Sequence, residues 1–185
     1  MNMENNFNDI YLENYHRVFS FIYHLTHDKQ LSEDITQEAF INAYKRLSSF
    51  RGESKIHIWI NKIAYNIFID TKRKRAVDEI SSDDEIILRQ VESLHTCMID
   101  RLEQKVMSEC VQDKLNGLPE NYRSALYLEM EGYSYLEIAK ILNCTTNNVK
   151  VRIHRGRNKL KKILDEECSF YHDERNVLCC LPKGK

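Results

Sequence analysis

Between Thr145 and Lys162 the chain carries seven basic residues and no acid: Lys150, Arg152, Arg155, Arg157, Lys159, Lys161 and Lys162. Cations at this density suit a polyanion. Arg and Lys donate to guanine edges, Asn reads adenine, and the same cations hold phosphate. Val149, Ile153 and Leu160 share one helical face, which turns Asn147, Asn148, Lys150, Val151, His154 and Arg155 toward solvent. Upstream, Ser134 opens a short helix whose inner face is Leu136, Ala139 and Leu142, and Asn143-Cys144 makes a turn. Thr145 or Thr146 caps the basic helix. A short helix, a tight turn and a basic second helix form a helix-turn-helix. An ordinary helical hairpin with a basic surface shares part of this pattern. Caps, turn, core spacing and the acid-free run together favour DNA binding, with Cys144 as a packing residue.

The tail holds the other group of reactive side chains. Cys168, His172, Cys179 and Cys180 are spaced Cys-x3-His-x6-Cys-Cys. Thiolate and imidazole suit Zn²⁺ or Cu⁺, and four such ligands can close a tetrahedral site. Adjacent cysteines share one ion only with strain, and the spacing is not that of a standard zinc finger. Three readings stay open: a regulatory metal site that Cys97 and Cys110 are available to join, a thiol redox switch, and an unstructured tail with incidental thiols. No Gly-rich phosphate loop, HExxH or nucleophile–base motif occurs, so an enzyme is not expected.

These groups must be positioned by a chain of 185 residues with 27 Lys and Arg against 28 Asp and Glu. Two prolines and five glycines are too few for collagen, Pro-rich disorder or a many-turned β-sandwich. No apolar run approaches the ~20 residues of a membrane span, and the N-terminus lacks a secretory signal. A soluble, cytoplasmic protein with no membrane insertion is therefore expected, its six cysteines being free thiols or metal ligands. Charge is segregated. Residues 51–75 hold seven bases and two acids, residues 76–110 three bases and nine acids, and the basic run follows. Two basic patches separated by an acidic stretch suggest two polyanion-contacting modules.

Helical periodicity runs through residues 7–27 (Ile10, Tyr11, Tyr15, Val18, Phe19, Ile22, Tyr23, Leu25). It resumes after Ser32 as N-cap (Ile35, Ala39, Phe40, Ala43, Tyr44, Leu47), and again from about Ile56 to Arg75 (Trp59, Ile60, Ile63, Ala64, Ile67, Phe68). Further helices are predicted from Met98 to Leu115, from Pro119 to Met130, from Ser134, and from Thr145 to about Leu164. No convincing strand is present. The expectation is an all-α chain of two small helical domains: a three- or four-helix unit over 7–75 and a helix-turn-helix unit over 100–164. A flexible acidic linker (76–99) joins them, and a Cys-rich tail (165–185) follows.

Residues 31–75, LSEDITQEAFINAYKRLSSFRGESKIHIWINKIAYNIFIDTKRKR, resemble region 2 of the extracytoplasmic-function (group 4) sigma factors of bacterial RNA polymerase. Residues 118–162 resemble region 4 of the same family. The resemblance implies a factor that binds core polymerase, through the β′ clamp helices and the β flap, and directs promoter-specific initiation without a required cofactor. Asp34, Gln37, Glu38 and Phe40 match the family's polymerase-docking motif. The loop from Phe50 through Ser54 to His57 matches the segment that captures a flipped base of the −10 element, with Asn66 near that pocket. Lys62, Lys72, Arg73, Lys74 and Arg75 would hold phosphates. Trp59 has two readings, a core residue at helical spacing or a neighbour of the melting DNA. Lys150, Val151, His154 and Arg155 match readers of the −35 element, and the resemblance implies backbone contacts for Arg152, Arg157 and Lys159. Asn147-Asn148, Val151 and Gly156 depart from the usual Gly-Thr, Ser and Ala, which leaves the −35 sequence open. A mid-helix Gly costs about 1 kcal/mol relative to Ala, so a bend or fraying is expected there. The tail is similar in kind to the Cys-rich tails of metal-responsive members. The family implies an anti-sigma partner. The alternative is a stand-alone helix-turn-helix regulator with an N-terminal sensing or dimerisation domain.

Overall fold

The computed structural model describes residues 3–79, 111, 113–172 and 178–183. Three helices form the first unit: α1 (Met3–Thr26), α2 (Lys29–Arg46) and α3 (Ile56–Glu79), with a 3-10 turn at Leu47–Ser49. A helical turn at 113–116 leads into the second unit, α4 (Glu120–Met130), α5 (Tyr135–Ile141) and α6 (Thr146–Glu167). The acidic linker beyond Glu79, including Cys97, and the start of the helix predicted from Met98, including Cys110, lie outside the described residues.

Local chemistry explains most of the boundaries. The carboxylate of Asp28 accepts the Leu31 N–H at 3.1 Å and caps α2 one turn earlier than Ser32 was expected to. Ser32 is instead buried inside the helix, its hydroxyl donating to the Asp28 carbonyl at 2.5 Å. At the end of α4, Gly132 takes φ +82°. That left-handed turn lets the Gly132 N–H reach the Glu129 carbonyl and the Tyr133 N–H reach that of Leu128, at 3.0 and 3.1 Å.

Packing corrects the predicted faces in three places. Leu136 is exposed, and Ile138, Ala139, Ile141 and Leu142 form the inner face of α5. Residue 136 lies two positions, about 200° of helix, away from Ile138, so both cannot face the core. Phe21 joins Val18, Ile22 and Leu25 as a buried residue of α1. Gly156 neither bends nor frays α6, which continues to Glu167. A Cβ there would stand 2.8 Å from Leu126 Cδ1 and 3.2 Å from Tyr122 Cβ. The missing side chain lets α6 lie directly on α4, which offsets the helix-propensity cost.

The two units pack against each other, α3 on α5 and α1 on α4. Phe21 stacks on Tyr127 with ring centroids 6.1 Å apart. The buried Asn61 Nδ2 donates to the Tyr133 hydroxyl at 2.9 Å. Arg123 of α4 donates to the Leu25 carbonyl at 3.0 Å and to that of Asn116 at 2.6 Å.

Both units are all-α, as expected. The tail is the departure. Strands β1 (Cys168–His172) and β2 (Leu178–Pro182) pair antiparallel, with Cys168 opposite Pro182 and His172 opposite Leu178. Strands of five residues are too short to declare a period of two in the sequence. Pairing makes this one: Lys183 N–H donates to the Glu167 carbonyl at 2.8 Å and pins the end of β2 to the end of α6.

Candidate nucleic-acid and partner interfaces

The second unit presents its basic helix as a rigid element. Ser134 caps α5 in a reciprocal box with Glu137: the Ser134 hydroxyl accepts the Glu137 N–H at 3.3 Å, and the Glu137 carboxylate accepts the Ser134 N–H at 2.8 Å. The Ser134 N–H and then its hydroxyl, which also donates to that carboxylate at 2.8 Å, hold the Glu137 carboxyl below its ordinary pKa. Thr145, the first of the two expected caps, accepts the Asn148 N–H at 3.2 Å and starts α6. Asn143, between the two helices, takes φ +50°. Val149, Ile153 and Gly156 then bury one face, with Leu160 half-buried. Asn147, Asn148, Lys150, Val151, His154, Arg155, Arg157 and Lys159 are exposed on the rest. Two predicted cations are engaged within the molecule. Arg157 pairs with Glu129 at 2.9 Å. Arg152 is half-buried, and its positive charge lies near enough to Tyr65 of α3 to counter part of the rise that burial brings to the phenol pKa.

The second predicted surface lies on the 50–55 loop and α3. Phe50 and Trp59 are half-buried and in ring contact, centroids 5.1 Å apart. Trp59 therefore rests on the core while keeping part of its ring open. Ser54 and Lys62 are half-buried, and Asn66, Lys72, Arg73, Lys74 and Arg75 are exposed. This surface borders the second unit directly. Asn143 Nδ2 donates to Asn66 Oδ1 at 2.6 Å, Lys140 donates to the Glu53 carbonyl at 3.1 Å, and Lys72 pairs with Glu120.

On α2, Asp34, Gln37 and Glu38 are exposed along one stripe. Phe40 is not part of it. At 3 % exposure it sits among the rings of Phe7, Tyr11 and Tyr15, with centroids 4.9–6.4 Å away, and props the helix from behind. Sequence reasoning missed Ile41 and Tyr44, both about half exposed and continuing the stripe. The available signal was the spacing of Ile41, four residues after Gln37 and three after Glu38.

The tail does not assemble the predicted metal set. An extended strand rises about 3.3 Å per residue, so Cys168 and His172 stand about 13 Å apart along β1. A single ion bound at 2.0–2.3 Å cannot take both. Cys168 is buried, and among the described residues no group of three or more His, Cys, Asp or Glu is placed to hold a metal ion.

Known proteins divide the same way. The chain matches the family profile for sigma-70 region 2 over residues 10–77 and that for sigma-70 region 4 over residues 108–160. It is 33% identical over 170 residues to the RNA polymerase sigma-H factor of Pseudomonas aeruginosa, covering 85% of this chain and 86% of that protein. It is also 33% identical over 163 residues to the ECF RNA polymerase sigma factor SigW of Bacillus subtilis, covering 84% and 86%. Among solved structures, it superposes on the sigma factor RpoE of Bartonella quintana, co-crystallised with the anti-sigma factor NepR. The TM-score is 0.72 at 25% identity, over 86% of this chain and 97% of that one. CnrH, solved with the cytosolic domain of CnrY, shares the fold at TM-score 0.63 and 20% identity, over 88% and 90%.

Proposed function

The chain belongs to the extracytoplasmic-function group of the sigma-70 family, and on that premise we propose how it divides the work of an RNA polymerase sigma factor between its two helical units. The stand-alone regulator has no need of a region 2 counterpart, and the family match over both units removes that alternative. The first unit, 7–75, docks on core polymerase through the exposed Asp34, Gln37 and Glu38 of α2, an acidic edge that complements a basic helical partner such as the β′ clamp helices. Its 50–55 loop and α3 read the −10 element. An extruded base meets Phe50, Ser54, Trp59 and Asn66, while Lys62 and Lys72–Arg75 hold phosphates of the opening duplex.

The second unit, 100–164, places the amino end of α6 in the major groove of the −35 element and sits near the β flap. Lys150, His154 and Arg155 address base edges with Asn147, Asn148 and Val151 beside them, and Arg152, Arg157 and Lys159 address the backbone. The observation that carries this reading is the capped, acid-free α6 face standing on a continuous helix. Promoter recognition of this kind needs no cofactor and no covalent chemistry, so the protein acts as an initiation factor and not as an enzyme. It works where polymerase and DNA are, in the cytoplasm; no described helix is long and apolar enough to cross a membrane. Because the sigma factor RpoE of Bartonella quintana was solved with an anti-sigma factor, an anti-sigma protein is a further proposed partner.

Run-off transcription with bacterial core polymerase on a promoter library, with and without the protein, tests the assignment. Protein-dependent initiation from a shared −35/−10 pair supports it and supplies the motif. DNA binding without any programming of core polymerase overturns it.

A further inference from the structure

We infer that Val151 reads the 5-methyl group of a thymine in the −35 element, so that an A·T pair is selected at the centre of the face that α6 offers to DNA. The inference rests on the promoter assignment above and adds the chemical group that is recognised. Val151 is 47 % exposed. Among the described residues of α6 it is the one exposed apolar side chain: Val149 and Ile153 are buried, and Leu160, Ile163 and Leu164 are half-buried. It stands outside the core cluster, so packing does not require a branched apolar residue there. A β-branched side chain is also a poorer helix former than the Ala, Lys or Arg that would suit an exposed position.

Its position accounts for the choice. On a helix, a residue is bordered by those three and four places away, about 5–6 Å between Cβ atoms. For Val151 these are Asn147, Asn148, His154 and Arg155, all of them exposed. An apolar centre is thus ringed by polar groups. Val151 is the sixth residue of α6, within the first two turns, the part of a recognition helix that reaches base edges. In the major groove guanine presents N7 and O6, adenine N7 and an amino group, and cytosine an amino group. Thymine alone adds a methyl group. An isopropyl group laid on a polar edge atom strips it of water and returns no hydrogen bond. Laid on the thymine methyl, it withdraws two apolar groups from water at once. The flanking amides fit the same choice. Asparagine pairs with N6 and N7 of adenine, and 5–6 Å spans less than two base-pair steps of about 3.4 Å. Asn147 or Asn148 therefore reaches an adenine while Val151 rests on a thymine beside it.

The test uses holoenzyme, the full chain with core polymerase, on duplex promoters carrying the −35 sequence that this holoenzyme selects. Each thymine of that element, on either strand, is replaced in turn by deoxyuridine, which deletes the methyl group and keeps every hydrogen-bonding atom. With the wild-type chain, one replacement is expected to weaken binding about fourfold, the factor for one apolar carbon withdrawn from water. Val151→Ala should bind the thymine promoter about fourfold less tightly and no longer distinguish thymine from deoxyuridine at that position. Val151→Thr, which keeps one of the two methyl groups, should retain part of the preference. The slope of log affinity against log salt should be the same for all three chains, since no phosphate contact is touched. Val151 is exposed and Ala is the better helix former, so Val151→Ala is expected to fold, which circular dichroism checks. A selected −35 element with no thymine on either strand overturns the inference, as does a wild-type chain indifferent to every replacement. A deoxyuridine loss that persists unchanged in Val151→Ala gives the methyl group to another residue and overturns it too. Each of these results leaves the promoter assignment standing. A chain that never programmes core polymerase, and so selects no −35 sequence, overturns that assignment and the inference with it.

Discussion

The two surfaces proposed to face DNA differ in how finished they are. On α6 most of the reading residues point outward from a helix fixed by its cap and by its close approach to α4. On α3 and the 50–55 loop, the amide of Asn66 and the ammonium of Lys72 are engaged by the other unit. One surface is preorganised and open, the other preorganised and occupied. The difference teaches that polar groups on a helix surface are left open or engaged according to what packs beside them.

The sharpest way to break this contrast is to spoil the open surface from beneath. Gly156→Val should cost about 3 kcal/mol by overpacking against Leu126 and Tyr122, seen as a lowered denaturant midpoint with −35 binding lost in parallel. Arg155→Ala leaves packing alone and should cost about 1–3 kcal/mol in affinity for the selected −35 duplex, with unchanged circular dichroism; equal binding would remove Arg155 from the reading set. Ser134→Ala dismantles the capping box and should lower stability by about 1 kcal/mol, measured by chemical denaturation.

Lys72→Ala tests the occupied surface. It removes a phosphate contact and also an exposed pair with Glu120 that closes the units, so its net effect on oligonucleotide affinity should be smaller than that of Arg155→Ala. The slope of log affinity against log salt should still fall by about one.

The smallest effect is a pH dependence at the boundary. Burial, then the neighbouring Arg123, lower the His27 pKa from 6.5 to about 4. The unfolded chain therefore binds this proton more readily than the folded one, and stability is full above pH about 6.5, declines as pH falls toward about 4, and levels below it. Partial exposure screens the loss. His27→Asn, tolerated at φ +54°, should flatten that part of the stability–pH curve in denaturation series between pH 7.5 and 4.

Where the sequence was legible, the controlling interactions were local. The caps at Ser134 and Thr145, the end of α4 at Met130 and the exposure of the basic face each depend on residues within a turn or two, and all stand as read. At α2, the cap expected at Ser32 falls instead to Asp28, one turn earlier, whose carboxylate reaches the Leu31 N–H. Phe40 was misassigned because a motif match says nothing about which side of the helix the core occupies. In the tail, spacing along the sequence suggested ligands converging on one ion, and an extended backbone pulled them apart.

The amino-acid sequence by itself determined that this chain is helical, that it has two cationic modules, and that the second ends in a DNA-reading helix. Those outcomes follow from periodicity, capping and charge, which act over a few residues. Only the tertiary structure decided that Asn61 meets Tyr133, that Asn143 meets Asn66, and that Gly156 is a point of helix contact. Such contacts join residues far apart in sequence. They arise from the shapes of two packed surfaces, and no local pattern encodes which surfaces will meet.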